Sequence, residues 1–280
     1  MKGIKTIKTF LIKKYRKLRS FYYKKITKRF LFEVQLAHHC NLNCVSCSHF
    51  SPIADEIYLD AIKYEKDCEQ LSKISKNLVY LIHLMGGEPL LHKDIVEIIE
   101  ITRKYFKKSK IKVVTNGILL DRMEPEFWKA CKDNRVIVSI TYYPIKINIE
   151  KINELSSHYG VKIESFKRDR SAIFRKDVLD PAGLQNKKES FKICAPRCHH
   201  LFEGKLYLCR VAAYINYINK NFSKHFQVAD ADYIDIYQVK DTKTIINYLR
   251  NPILFCRYCN RNATSDIPWG LSKKEESEWF

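Results

Sequence analysis

Cys40, Cys44 and Cys47 stand at Cys-x3-Cys-x2-Cys spacing, directly after an apolar run at 31–36 that reads as a strand. Thiolates bind soft and borderline metals, and iron–sulfur clusters are held mainly by cysteine. Three clustered thiolates, rather than four, leave one iron of a cubane [4Fe–4S] cluster without a protein ligand. A small molecule can bind and react there. A structural zinc site would take a fourth ligand and be closed. Two further segments have a related layout. Gly86-Gly87-Glu88-Pro89 follows the apolar run 78–85, and Val113-Val114-Thr115-Asn116-Gly117 again carries a strand-like run into a turn.

Taken together, the three segments resemble the radical S-adenosylmethionine (SAM) superfamily. The resemblance implies that SAM chelates the open iron of the cluster on Cys40, Cys44 and Cys47. It implies that the segment Gly86, Gly87 and Glu88 contacts the SAM amino group, and it adds Asn116 and Ser139 as cofactor-binding positions. One departure concerns the residue before the third cysteine. The family usually has an aromatic side chain there, against the adenine; this chain has Ser46, with Phe50 or His49 as the available substitutes. His38, His39 and His49 flank the cysteine loop and read as structural histidines, with a proton donor or substrate contact as the alternative. Cys68 and Cys131 fall in helical patterns and read as small buried side chains.

The remaining cysteines lie late in the chain. Cys194, Cys198 and Cys209 are followed after a gap by Cys256-x2-Cys259, and Gly204 to Cys209 reads as a hairpin delivering a ligand. This pattern resembles the auxiliary-cluster subdomain of radical SAM enzymes in its shorter "twitch" form. The longer SPASM form needs more cysteines than remain. The resemblance implies a second [4Fe–4S] cluster on Cys194, Cys209, Cys256 and Cys259. Cys198 either exchanges with Cys194 as a ligand or stays free as a hydrogen-atom donor. A zinc site on the same thiolates is the competing reading.

Strand-like runs at 31–36, 78–84, 111–115, 136–141 and 161–166 alternate with helical patterns at 64–74, 95–106, 124–131 and 149–158. Such alternation predicts a parallel sheet covered by helices, an α/β fold. The resemblance narrows this to a partial (β/α)6 barrel, with its sixth unit near 168–180. Pro181, Gly183 and Asn186 mark a linker, dividing a core at 31–185 from a cysteine-rich subdomain at 186–280.

The 280 residues are 46% apolar, enough for a real core. The net charge is +19, and residues 1–30 hold twelve of the fifty Lys and Arg with no acid. Ile4, Ile7, Phe10, Leu11, Tyr15, Leu18, Tyr22 and Ile26 recur at helical spacing in this arm. A basic amphipathic helix of this kind caps a domain, docks on an anionic membrane surface, or meets nucleic-acid phosphates. No apolar run marks a signal peptide or a membrane span, so ten cysteines read as reduced ligands in a cytoplasmic protein, with peripheral membrane docking through the arm as an extension.

The function these readings favour is reductive cleavage of SAM to a 5′-deoxyadenosyl radical. That radical would abstract hydrogen from a sugar-like or other polar small molecule, a glycan precursor included, leading to dehydrogenation or epimerisation. Flavodoxin or ferredoxin is the implied electron donor. A peptide or tRNA substrate is the second reading. A non-enzymatic zinc-bearing interaction protein is the third.

Overall fold

The computed structural model describes residues 29–166, 172–194 and 198–280. The basic arm expected at 1–30 lies almost wholly outside these residues, and Leu31–Phe280 form one compact unit. Five strands follow the expected alternation: β1 (Phe30–Gln35), β2 (Val79–Met85), β3 (Lys110–Thr115), β4 (Val136–Thr141) and β5 (Ile163–Phe166). The helices between them are α1 (Ala61–Ser75), α2 (Ile95–Tyr105), α3 (Pro125–Asp133) and α4 (Ile149–Tyr159). β2 to β5 pair in parallel register, Val113 opposite Val138 and Val138 opposite Ile163. Phe32, Val34, Ile82, Leu84, Ile111, Val113, Val138 and Ile140 are fully buried. The helices pack over the same face, where α1 donates Tyr64 to Thr102 of α2 at 2.9 Å. The alternate residues of these strands include Glu33, Gln35, His83, Lys112, Ser139 and Glu164, a polar set on the other face. The result is an α/β, mostly parallel, partial (β/α) barrel.

The expected sixth parallel unit near 168–180 is not there. β6 (Ile173–Leu179) instead pairs antiparallel with β10 (Cys259–Pro268) in a separate two-stranded sheet. The main sheet is completed across β1 by residues from beyond the expected linker. β7 (His200–Phe202) pairs parallel with β1, followed by antiparallel β8 (Lys205–Tyr207) and β9 (Tyr233–Asp235). The order is β5-β4-β3-β2-β1-β7-β8-β9. Four short or medium helices complete the described part: α5 (Lys187–Ile193), α6 (Arg210–Tyr214), α7 (Asn216–Phe222) and α8 (Thr242–Arg250). The hairpin expected before Cys209 is β7–β8, turned by Glu203 and Gly204 at φ 49° and 72°. Two consecutive left-handed residues form the turn that suits the twist of a tight hairpin. No helix among the described residues is long and apolar enough to cross a membrane.

Candidate active site

In a parallel sheet, ligands collect where the strands' carboxyl ends stop. Cys40 follows β1, Gly86 follows β2 directly, and Asn116 follows β3 directly. Cys40, Cys44, Cys47, Gly86, Gly87 and Asn116 all line one cavity of about 200 Å³ at that edge.

The two glycines are required by contact. A Cβ on Gly87 would lie 1.9 Å from the His39 carbonyl oxygen, and one on Gly86 2.4 Å from that of Ala37. Gly86 also sits at φ +150°. Without side chains, the turn after β2 lies flat on the strand leading to Cys40, joined by Gly87 N–H to Ala37 O (2.8 Å) and Glu88 N–H to His39 O (3.2 Å). Glu88 does not face the cavity. Its carboxylate is completely buried beneath it and accepts from Leu90 N–H (3.1 Å), Thr115 Oγ1 (2.6 Å) and Asn116 N–H (2.9 Å). It therefore ties the ends of β2 and β3 together and aims Asn116, whose Nδ2 donates to Asn41 at 2.8 Å beside Cys40.

Burial pushes the Glu88 carboxyl up to about 7, outweighing the three donors that favour its charge. A carboxyl raised in this way contributes stability that is fully present below the ordinary value of 4.5 and is lost as pH climbs through 7. Glu88→Gln should remove that slope. Between pH 4.5 and 7 the urea stability of the native protein should fall by about 3 kcal/mol more than that of the variant. Equal slopes would refute the assignment.

Ser139 of β4 is fully buried, with no hydrogen-bond partner for its Oγ, and it does not line the cavity; Thr141 of the same strand face does. Phe50 packs into the core against Trp279. The aromatic wall of the cavity comes from Tyr143 and Phe174, whose ring centroids are 5.8 Å apart. Burial and the neighbouring cysteines raise the Tyr143 phenol well above its usual range. His49 lines the cavity, whereas His38 is caged by Tyr214, Tyr217 and Phe202. Cys68 and Cys131 are buried in helices, as their patterns predict.

The cysteine loop has left-handed residues at Asn43, Ser46 and Phe50, so it needs support from outside. That support comes from residues 269–279. Val45 N–H donates to Gly270 O (2.8 Å), Ser272 N–H to Asn43 O (2.8 Å), and Trp279 Nε1 to Cys47 O (3.0 Å). Ser46 meets Glu278 through both its N–H and its Oγ. Trp269 Nε1 reaches Cys44 Sγ at 3.2 Å. Motif reading missed this clamp. Its one sequence signal is that two of the three tryptophans fall in the last twelve residues.

The later cysteines form a second group. Cys194 ends α5, Cys209 caps α6, Cys256 lies in the turn Leu254–Tyr258, and Cys259 opens β10. Burial raises Cys209 to about 12 and Cys259 well up; Cys194 and Cys256 add to both shifts, so the four share one neighbourhood. Cys198 lies between this group and β1, with Cys194 adding to its shift. Its thiol faces Glu33, and burial pushes it to about 12. Arg210 joins the two groups: it follows Cys209 in sequence, and its Nε donates at 2.6 Å to Ser48, which follows Cys47. Asp177 balances it at 3.4 Å and Arg261 at 2.7 Å.

Among the described residues, neither cysteine set brings three sulfurs within 4.8 Å of one another. Cys40 and Cys44 are pushed to about 12 by burial, so metal charge is what would make them thiolates.

Residues 34–168 match the sequence model of the Radical SAM superfamily. The chain carries a radical SAM domain. It is 38% identical over 161 residues, 57% of its own length, to a probable GTP 3′,8-cyclase of Thermoplasma volcanium, and covers 44% of that protein. It is 29% identical over 177 residues to a probable GTP 3′,8-cyclase of Methanothermobacter thermautotrophicus, covering 52% of it. The chain thus spans about half the length of these curated relatives. Among solved structures it is similar in fold to BtrN in complex with AdoMet and 2-DOIA, with a TM-score of 0.53, 16% identity, and coverage of 90% of this chain and 98% of that one. A radical SAM enzyme binds SAM at a [4Fe–4S] cluster and needs a reductant.

Proposed function

We propose that this radical SAM enzyme dehydrogenates or epimerises a polar, polyhydroxylated small molecule such as a sugar or glycan precursor. Cys40, Cys44 and Cys47 would hold the SAM cluster, while Cys194, Cys209, Cys256 and Cys259 would hold an auxiliary one. The bound cluster and SAM supply one-electron cleavage and hydrogen-atom abstraction. The chain's own part is to place the substrate carbon and exclude quenchers. The observation that carries the reading is Arg210, which spans from the second cysteine group to Ser48 beside the first. A substrate held near the first group would then be within electron reach of the second. The polar inner strand face supports the substrate class: Glu33 and His83 pair at 2.9 Å, and Lys112 and Glu164 at 2.6 Å. Gly86, Gly87 and Asn116 are the cofactor-contacting positions that this reading retains at the cavity, with Thr141 added there and Ser139 and Glu88 away from its lining.

GTP is the second reading, favoured by the names of the curated relatives. Anaerobic protein with SAM, dithionite and perdeuterated candidates separates the two. Deuterium appearing in 5′-deoxyadenosine from a sugar or cyclitol supports the first, and from GTP the second. Cys198 decides between dehydrogenation and epimerisation. If it returns a hydrogen atom, Cys198→Ala should still consume substrate but release an oxidised or unrepaired product. An unchanged product by mass spectrometry would remove that role.

A further inference from the structure

Glu33 of β1, His49 beyond the cysteine loop and His200 of β7 offer one ligand atom each, all within 4.8 Å of one another. No other trio of metal-type ligand atoms among the described residues is this tight. We infer that these three side chains bind a divalent first-row transition ion, of the zinc or iron(II) class, separate from both cysteine groups.

Three observations carry this. The first is geometric. His200 Nε2 lies 2.9 Å from Glu33 Oε2, yet neither ring nitrogen of His200 makes a hydrogen bond. Two ligand atoms close together, with no proton aligned between them, form the edge of a coordination shell. Tetrahedral bonds of 2.0–2.1 Å place ligand atoms about 3.3 Å apart, a few tenths of an ångström wider than this pair. The second observation is that the site is dry. His200 Nδ1 and His49 Nε2 are shielded from solvent and unpartnered, and His200 Nε2 faces the Glu33 carboxylate alone. Orphaned buried polar atoms are costly. His200 is 0% exposed, so no organic ligand reaches its ring. The third observation is support around the ligands. His83 Nδ1 holds the other carboxylate oxygen of Glu33 at 2.9 Å, which orients Oε2 toward His200. Two histidines and one carboxylate suit zinc or iron(II), and three protein ligands leave a position for water or a substrate oxygen.

Charge around the site is compatible with a cation. Arg210 is the one cation facing both imidazoles, and it is matched by Asp177 and donates to Ser48.

The test uses full-length protein reconstituted with iron and sulfide under nitrogen, incubated with zinc(II) and desalted. One zinc per chain should be retained without loss of iron, and zinc-edge X-ray absorption should show nitrogen and oxygen neighbours. His200→Ala and Glu33→Ala should each weaken zinc binding at least tenfold while iron and sulfide counts hold. Absence of retained zinc, uptake matched by iron loss, or a sulfur-dominated shell would overturn the site, as would undiminished uptake in both variants. The absorption measurement needs no variant, so it stands even if a substitution prevents folding. SAM cleavage is read separately, so failure here leaves the proposed function untouched.

Discussion

Alanine at Cys40, Cys44 and Cys47 together abolishes 5′-deoxyadenosine formation from SAM, a drop of at least about a thousandfold, because the one other metal-ligating side chain lining the cavity, His49, cannot replace three thiolates. The native protein, reconstituted without oxygen, should carry about eight irons per chain, and the triple variant about four. The converse pair, Cys256→Ala with Cys259→Ala, should also leave about four irons but retain SAM cleavage, since neither residue lines the cavity at Gly86 and Gly87. Four irons with zinc in a sulfur-dominated shell in the native protein would assign the later cysteines to zinc. A colourless native protein without iron would remove both clusters at once.

Gly87→Ala carries the second large effect. The added methyl would stand 1.9 Å from the His39 carbonyl oxygen and 2.4 Å from its carbon. Both are backbone atoms of the strand exit that delivers Cys40, so relief requires moving the cysteine loop itself. That loop is pinned on its other side by Trp269, Trp279 and Glu278. The expected outcome is destabilisation by at least about 3 kcal/mol in urea unfolding, with SAM cleavage below about one per cent of native. Gly270 provides the control. Nothing lies within 4 Å of a Cβ placed there, although its carbonyl accepts from Val45, so Gly270→Ala should stay within about 0.5 kcal/mol. If both variants behave alike, the close approach of the two turns is not what holds the site.

Local order was legible in the chain because it is written in periodicity and turn chemistry. The strands at 78–84, 111–115 and 136–141 match β2, β3 and β4 within a residue at each end, since apolar runs stopped by Gly86, by Asn116-Gly117 and before Pro144 leave little choice. Cysteine spacing likewise announces metal chemistry, because a loop of eight residues with three thiols has few other uses. The pairing of distant elements was not legible. The sixth strand was expected from continued alternation, but β6 found its partner some ninety residues away in β10, and β7 took the place beside β1. Register between segments so far apart depends on which faces fit once folded, and no local pattern encodes it. The same holds for the site. Tyr143 and Phe174 supply the aromatic wall that residue 46 lacks, and Trp269 and Glu278 support the loop from the far end of the chain. Glu33, His49 and His200 come from three separate segments and read singly as ordinary polar residues. Only folding brings them within 4.8 Å, where burial removes water and leaves their lone pairs facing one another.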